Sequence, residues 1–202
     1  EEVSAKNAVF KTTNLQDANL TKAILDGSDL SRSNLTRAQL DDASLLDTNF
    51  NGADLTLSSL NGADLKNADL TFAQMSKADF TNADLSGTTF HGSNVSGALM
   101  VNTNLTGAKL EKSRFDGASF ENANLTQIVS SKSKFINSVF KNTDLTNAVF
   151  KESDLTGAVF EGVKLNGANL KGANLDGVDL TQAILCETVM PDGKVSNRNC
   201  KK

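Results

Sequence analysis

The chain contains 202 residues, of which 22% are charged, and its formal net charge is −4. No run of 18 apolar residues occurs, so the sequence predicts no membrane-spanning helix. Acidic and basic residues are mixed along the chain, and aromatic residues do not alternate with the basic ones, so nucleic acid is not a favoured partner.

The first residues, from Glu1 to Ala5, have neither the basic region nor the apolar stretch of a signal peptide. Such a start is expected of a cytosolic protein or of a mature form whose targeting segment has been removed. Residues 1–7 precede the regular pattern and are predicted to form a short lead-in. The edge of the first coil would then lie uncovered, and exposed strand edges recruit other chains, so self-association through the N-terminal end is a hypothesis.

From Phe10 to Met190 every fifth residue is large and apolar, with Ser130 the exception. The residue two places earlier is small in nearly every unit, and 13 of the 14 glycines lie two places later. A period of five matches neither the 3.6 residues of an α-helix nor the 2 residues of a strand. Gly and Asn accept positive φ, so the pattern predicts a corner every five residues, with the large side chains pointing inward.

Units such as Ala53-Asp54-Leu55, Ala68-Asp69-Leu70 and Ala173-Asn174-Leu175 resemble the pentapeptide-repeat family, whose pattern is A(D/N)LXX. The resemblance implies an all-β fold, a right-handed quadrilateral parallel β-helix with four repeats per coil. We therefore expect about nine coils of 20 residues in a β-helix over residues 8–190.

Residues 20 apart should stack if four repeats make one coil. One such column is uniformly Leu, and phenylalanines stack in two others. The residues predicted to stack in the core are Leu25, Leu45, Leu65, Leu85, Leu105, Leu125, Leu145, Leu165, Leu185, Phe115, Phe120, Phe135, Phe140 and Phe160.

Two features along the repeats depart from the regular pattern. In the unit 126–130 a large residue, Ile128, takes the small site and Ser130 takes the large one, which is interpreted as local compensation or, alternatively, as a bulge that exposes Val129. The 20-residue period also gathers four basic residues near one corner, and this cluster is either solvated or binds an anion. The four are Lys112, Arg114, Lys132 and Lys134.

The repeats stop at Pro191, and the two cysteines of the chain, Cys186 and Cys200, bracket the turn that follows. A disulfide between them would close the segment 191–202 as a capping loop over the last coil. A metal site is the alternative, although two thiols without a nearby His are too few ligands for zinc. Disulfides persist in oxidising compartments, which points away from the cytosol.

The ending Cys-x-x-Thr-x-Met-Pro-Asp-Gly followed by Cys200 also resembles pentapeptide-repeat proteins of cyanobacteria and of the plant thylakoid lumen. The resemblance implies a mature protein of the chloroplast thylakoid lumen whose transit peptide is absent, or alternatively a cyanobacterial periplasmic or lumenal protein.

No group of residues in the sequence suggests catalysis, a cofactor or a metal site, and the single histidine, His91, lies at an outward corner. We expect a non-enzymatic structural or interaction scaffold with a protein partner. Two alternatives are a DNA mimic that binds a type II topoisomerase, and a redox-responsive regulator acting through Cys186 and Cys200. A DNA mimic needs a continuously acidic surface, which a net charge of −4 does not favour.

Overall fold

The computed structural model describes residues 3–200, so the ends of the predicted lead-in and capping loop lie outside the described residues. The backbone winds in coils whose residues pair in parallel with those 20 positions further on, from the Ser4 and Ile24 pair to the Asn169 and Val189 pair. Each side of a coil contributes one bridging residue, which is too short for a regular strand. Within residues 3–200 the structure has no helix long and apolar enough to cross a membrane.

Regular strands occur only near the C-terminal end of the described chain. Strand β1, Thr188–Val189, pairs antiparallel with β2, Val195–Ser196, and Thr188 lies opposite Ser196. The turn between them contains Pro191 and Gly193, as the sequence Pro-Asp-Gly predicts.

The corners lie at the predicted phase. Two residues after each inward site φ is positive in every unit from Asn7 to Glu187 except at Gln182. The corner closes by a hydrogen bond within the unit, as from the Ser28 N–H to the Leu25 carbonyl at 3.0 Å. Leu57 and Phe72 also adopt positive φ, of 60° and 58°, although large side chains rarely do.

Asp or Asn recurs before the inward residue because its side chain accepts a backbone N–H that the bonds between coils leave free. Leu45 donates its N–H to Asp64 of the next coil at 2.7 Å, and Asp64 donates to Ala43 of the previous one at 2.9 Å. The N–H that remains at the first corner position is accepted by the Asp or Asn side chain, as Asp29 Oδ1 accepts from Ser31 at 2.9 Å. These side chains therefore complete the backbone hydrogen bonding of each unit.

The inward column fills the interior. Every predicted Leu of the stacked column is buried, from Leu25 at 2% exposure to Leu185 at 3%. The rings of Phe115 and Phe135 are parallel with centroids 5.0 Å apart, and those of Phe120 and Phe140 are 4.9 Å apart. Phe160 differs, because its ring meets Phe140 at an interplanar angle of 71° instead of stacking flat.

The irregular unit is accommodated without a break. Ile128 and Ser130 are both fully buried, and Val129 pairs with Lys109 on one side and Val149 on the other. The ladder therefore passes through the unit with no bulge. The swap leaves one cost, because the Ser130 hydroxyl is buried without a hydrogen-bond partner.

The first coil is less well covered than the others. Phe10, Leu15 and Leu20 are only partly buried, because no described coil lies beneath them. Self-association through this end stays a prediction.

The segment 186–200, called here the C-terminal hairpin, folds back on the last repeats. Cys186 and Cys200 form a disulfide with their Cα atoms 4.7 Å apart. Asn199 donates its backbone N–H to the Leu185 carbonyl at 2.9 Å, and Thr188 Oγ1 donates to the Leu165 carbonyl at 2.6 Å. The hairpin is thus joined to the β-helix by covalent and polar contacts.

Candidate protein-binding site

The predicted core residues meet inside the coil, so they hold the fold and present nothing to a partner. Of the outward candidates, His91 packs edge-on against Phe72 with ring centroids 5.9 Å apart. In residues 3–200 no group of three His, Cys, Asp or Glu residues is arranged to hold a metal ion.

The basic cluster is partly neutralised. Arg114 and Lys134 lie on paired positions of neighbouring coils, and Arg114 forms an ion pair with Asp116 at 3.2 Å. Lys132 pairs with Glu152 at 3.5 Å. Such exposed pairs contribute little, and the cluster has the character of a solvated corner.

The carboxylates that depart from their ordinary pKa are held by local hydrogen bonds. The Ser31 hydroxyl and backbone N–H hold the pKa of Asp29 below 3.8. The Thr181 backbone N–H, 2.8 Å from Asp179 Oδ1, likewise lowers the pKa of Asp179. Both groups stay ionised at neutral pH, so neither can act as a general acid there.

One outward column carries three apolar residues over four coils, with Ser119 between the first and the second. Leu99, Ser119, Val139 and Val159 pair in succession on one side of the β-helix, and we call them the apolar strip. Leu99 and Val159 are each 46% exposed. Below the strip the same column continues with Asp79, so the apolar character is confined to one part of the side.

The strip ends where the backbone ladder is interrupted. On this side Phe140 donates to the Val159 carbonyl at 2.9 Å, and Asn142 donates to Glu161 at 2.8 Å. One coil further on, the backbone N–H groups of Phe160 and Gly162 have no acceptor among the described residues.

The interruption opens a cavity of about 280 Å³, which we call the slot. Its lower wall is formed by residues 157–161, and its upper wall includes Asp179, whose backbone N–H also has no partner among residues 3–200. The residues that line the slot are Gly157, Ala158, Val159, Phe160, Glu161, Gly177, Asp179 and Gln182.

The slot is a local opening, because the two coils are joined at both of its ends. At one end Gly157 donates to the Asp176 carbonyl at 2.7 Å. At the other end Lys164 and Ile184 form a regular parallel pair. The separation is therefore confined to one side of the coil.

Three residues around the slot depart from the regular repeat. Val178 occupies a site that is small in nearly every unit, stands one coil above Ala158 and is only partly buried. Gln182 is the one corner residue of the series without positive φ. Arg198, from the C-terminal hairpin, donates Nη2 to the carbonyls of Leu180 and, at 2.9 Å, Ala183, so the upper strand is held toward the hairpin.

Sequence analysis did not predict the slot, although a signal was present. Only three units have a large residue at the small site, at Ile128, Val163 and Val178, and two of these flank the slot. The third, Ile128, is compensated by the small Ser130. No such compensation exists at Val163 or Val178, because Leu165 and Leu180 keep the inward sites, although the ladder is regular beside Val163.

The rim of the slot is acidic. Glu161 and Asp179 are the only charged residues among those that line it. Lys141 approaches Glu161 at 3.6 Å from one coil below, and both side chains are largely exposed. The entrance therefore places two carboxylates, one of them paired with Lys141, beside apolar walls.

Comparison with known proteins identifies the repeats. The family model for pentapeptide repeats matches in eight copies, over residues 2–32, 13–51, 33–71, 48–87, 90–127, 113–151, 131–162 and 153–190. None of the curated proteins matches the sequence.

Solved structures with the same architecture include HetL, a pentapeptide repeat protein involved in heterocyst differentiation regulation in the cyanobacterium Nostoc sp. strain PCC 7120. It is 27% identical, with a TM-score of 0.68 over 96% of this chain and 90% of HetL. QnrB1, a plasmid-mediated fluoroquinolone resistance protein, is 17% identical, with a TM-score of 0.51 over 88% of this chain and 91% of its own, and shows the fold alone.

A pentapeptide repeat protein from the Arabidopsis thaliana thylakoid lumen is 28% identical over 59% of this chain and 70% of its own, with a TM-score of 0.41. The coil of five-residue units, the pairing of residues 20 apart and the eight matched segments lead to one conclusion. The chain belongs to the pentapeptide-repeat family, whose members fold as right-handed quadrilateral β-helices.

Proposed function

We propose that the protein is a non-enzymatic interaction scaffold of the thylakoid lumen that binds a protein partner through the apolar strip. The observation that carries the proposal is the column of Leu99, Ser119, Val139 and Val159 on a flat side, in which Val139 and Val159 are adjacent and the small Ser119 lies between them and Leu99. Scattered apolar residues are normal on a surface, whereas a contiguous apolar patch marks an interaction site.

The frame behind the strip favours binding. Backbone hydrogen bonds join each strip residue to its neighbours, as Val139 donates to Ala118 at 2.9 Å and Val159 to Ser138 at 2.9 Å. The side chains are thus held at fixed spacing before a partner arrives, which lowers the entropic cost of association.

Two observations support the lumen. The disulfide between Cys186 and Cys200 fits an oxidising compartment. The C-terminal ending resembles lumenal members of the family, and HetL comes from a cyanobacterium. The cyanobacterial periplasm is the alternative compartment, and detection of the protein in lumen fractions of its source cells distinguishes the two.

The surface charge does not favour the DNA-mimic alternative. Mimicry of a duplex needs a row of unpaired negative charges. Here Lys66 lies 3.0 Å from Asp64 and 3.3 Å from Asp84, and Arg37 pairs with Asp17 at 2.7 Å, so acidic side chains are neutralised in the half of the chain where they are most frequent.

The redox-responsive alternative has one specific observation in its favour. Arg198 holds the upper wall of the slot and lies two residues from Cys200. Reduction of the disulfide would free Arg198 and change the slot, whose lower wall includes Val159 of the apolar strip.

The scaffold proposal is tested by affinity capture from thylakoid lumen with the oxidised protein and two variants. Leu99→Lys places a charge on the strip, while Val129→Lys places the same charge on the opposite side, at a position 36% exposed. We expect Leu99→Lys to reduce the captured partner at least tenfold and Val129→Lys to leave it unchanged. Equal capture by all three proteins would contradict the proposal.

A further inference from the structure

We infer that the slot binds an extended segment of the protein partner, which lies across the opening, accepts hydrogen bonds from its free backbone N–H groups and places one apolar side chain in the cavity beside a basic residue. The inference rests on the proposed function, because it assigns to the partner a second contact at the end of the apolar strip.

The first argument is the state of the backbone. A regular coil here would use the N–H groups of Phe160, Gly162 and Asp179, as the coil below uses those of Phe140, Asn142 and Val159. Unpaired backbone groups next to buried side chains are costly, and Phe160 is only 3% exposed. Backbone carbonyls of an extended segment laid across the opening would accept hydrogen bonds from such groups.

The second argument is the size and lining of the cavity. About 280 Å³ lies near the lower limit of ligand pockets, and the wall formed by Ala158, Val159 and Phe160 is apolar. This space suits a single aliphatic side chain. A small molecule with the same apolar group would leave the backbone donors unpaired, so a peptide fits the site better.

The third argument is charge. Glu161 and Asp179 stand on opposite walls of the slot, and its lining contains no basic residue. Lys141 pairs with Glu161 at 3.6 Å from outside the lining, and the charge of Arg198 acts on Asp179, so a basic group of the partner would compete with these two. A Lys or Arg next to the apolar residue of the bound segment would lie between the two carboxylates. Because both are exposed, we expect binding to weaken as salt is raised from about 0.01 M to 0.15 M, where the screening length falls from about 30 Å to about 8 Å.

Amide hydrogen exchange tests whether the backbone N–H groups at the slot are free. In the oxidised full chain the amides of Phe160 and Gly162 should exchange at least 100-fold faster than those of Phe140 and Asn142, the equivalent positions one coil below. Equal protection of the two pairs would mean that the slot is closed in solution and would overturn the inference.

Peptide selection tests the occupant. A library of random heptapeptides is displayed and selected on the oxidised full chain. We expect enriched sequences with a central aliphatic residue flanked by Lys or Arg, and their binding should slow exchange at Phe160 and Gly162. Absence of enrichment, or binding that leaves both amides unprotected, would overturn the inference.

A slot-closing variant provides the matched control. Val178→Ala with Gln182→Gly restores the repeat pattern at both positions and should bind selected peptides at least tenfold more weakly with no loss of thermal stability. Glu161→Lys, a surface change on the rim, tests the same site if the double variant does not fold, and should also weaken binding. Unchanged affinity in these variants would place the peptide elsewhere.

The two proposals can fail separately, because Leu99 does not line the slot. If Leu99→Lys loses the partner while the slot-closing variant captures it normally, the scaffold proposal stands and the inference about the slot is overturned. Self-association that disappears in the slot-closing variant would assign the slot to a second copy of the chain and would likewise overturn the inference.

Discussion

The residue two places after each inward Leu or Phe must adopt a positive φ, and the chain places very different side chains there. Thirteen of these positions are Gly, yet Leu57, Phe72 and Arg37 occupy others with φ between 58° and 60°. The hydrogen bonds of the ladder enforce the corner even where the side chain disfavours it. Gly and Asn in the sequence indicate where the corners lie, and the five-residue period then locates the corners that other residues occupy.

Gly117 isolates the conformational requirement of a corner. Its φ is 67°, and a methyl group added at its Cα would meet nothing within 4 Å. We therefore expect Gly117→Ala to lower the free energy of unfolding by about 1 kcal/mol through backbone strain alone. Gly117→Asn should cost less, because Asn adopts this conformation more readily. Urea unfolding measures both, and an Ala variant as stable as wild type would refute the argument.

The irregular unit makes a prediction of opposite signs for its two residues. Ser130→Ala removes a buried hydroxyl without a partner and should raise the free energy of unfolding by about 1 kcal/mol. Ile128→Ala should lower it by about 2–5 kcal/mol, because it leaves a cavity in the core. Thermal denaturation compares them, and destabilisation by Ser130→Ala would mean that the hydroxyl has a partner in solution.

Two carboxylates link stability to pH. The pKa values of Asp29 and Asp179 are lowered by folding, so their contribution is present above pH 3.8 and is lost as the pH falls through the lowered values. Asn can accept the same backbone hydrogen bond but does not titrate. The double variant Asp29→Asn, Asp179→Asn should therefore lose less stability than wild type between pH 4 and pH 2, and equal losses in a urea titration would argue against this linkage.

At the scale of elements, the five-residue unit was predictable and the slot was not. The large, small and corner positions repeat in the sequence, so the inward column and the turns could be derived from any few units. The local signal, Val178 at a small site, also occurs at Val163 without an opening, and Arg198 contacts the carbonyls of Leu180 and Ala183 beside the slot from 18 and 15 residues away. No local pattern encodes a contact made by a folded-back segment.

The C-terminal hairpin should act locally. The disulfide spans 14 positions, and closing such a loop stabilises the folded chain by about 3 kcal/mol in the chain-entropy model. Because coils of a solenoid contact only their neighbours, reduction should speed amide exchange over residues 176–200 and leave Leu45 and Leu65 unaffected. A Cys186→Ser, Cys200→Ser variant should match the reduced protein, and unchanged exchange near the hairpin would remove the redox-responsive alternative.

At the scale of the whole molecule, the sequence specifies the β-helix and its core, and it says much less about which part of the surface binds a partner. Inward residues are constrained by packing in every coil, so their column is regular and readable. Outward residues carry no such constraint, and the apolar strip emerges only when Leu99, Val139 and Val159 are aligned by the 20-residue pairing. The 20-residue period predicts that Val139 and Val159 stack on one side, and the ladder adds Leu99 and Ser119 to the same column.

The most direct test of the account places a photo-crosslinking amino acid at position 139 or at position 149 and exposes each protein to thylakoid lumen. Val139 lies on the apolar strip, and Val149, also partly buried, lies in the column on the opposite side. We predict crosslinks to one protein from position 139 and none from position 149. Equal crosslinking from both positions, or none from position 139, would contradict the claim that the apolar strip is the binding surface.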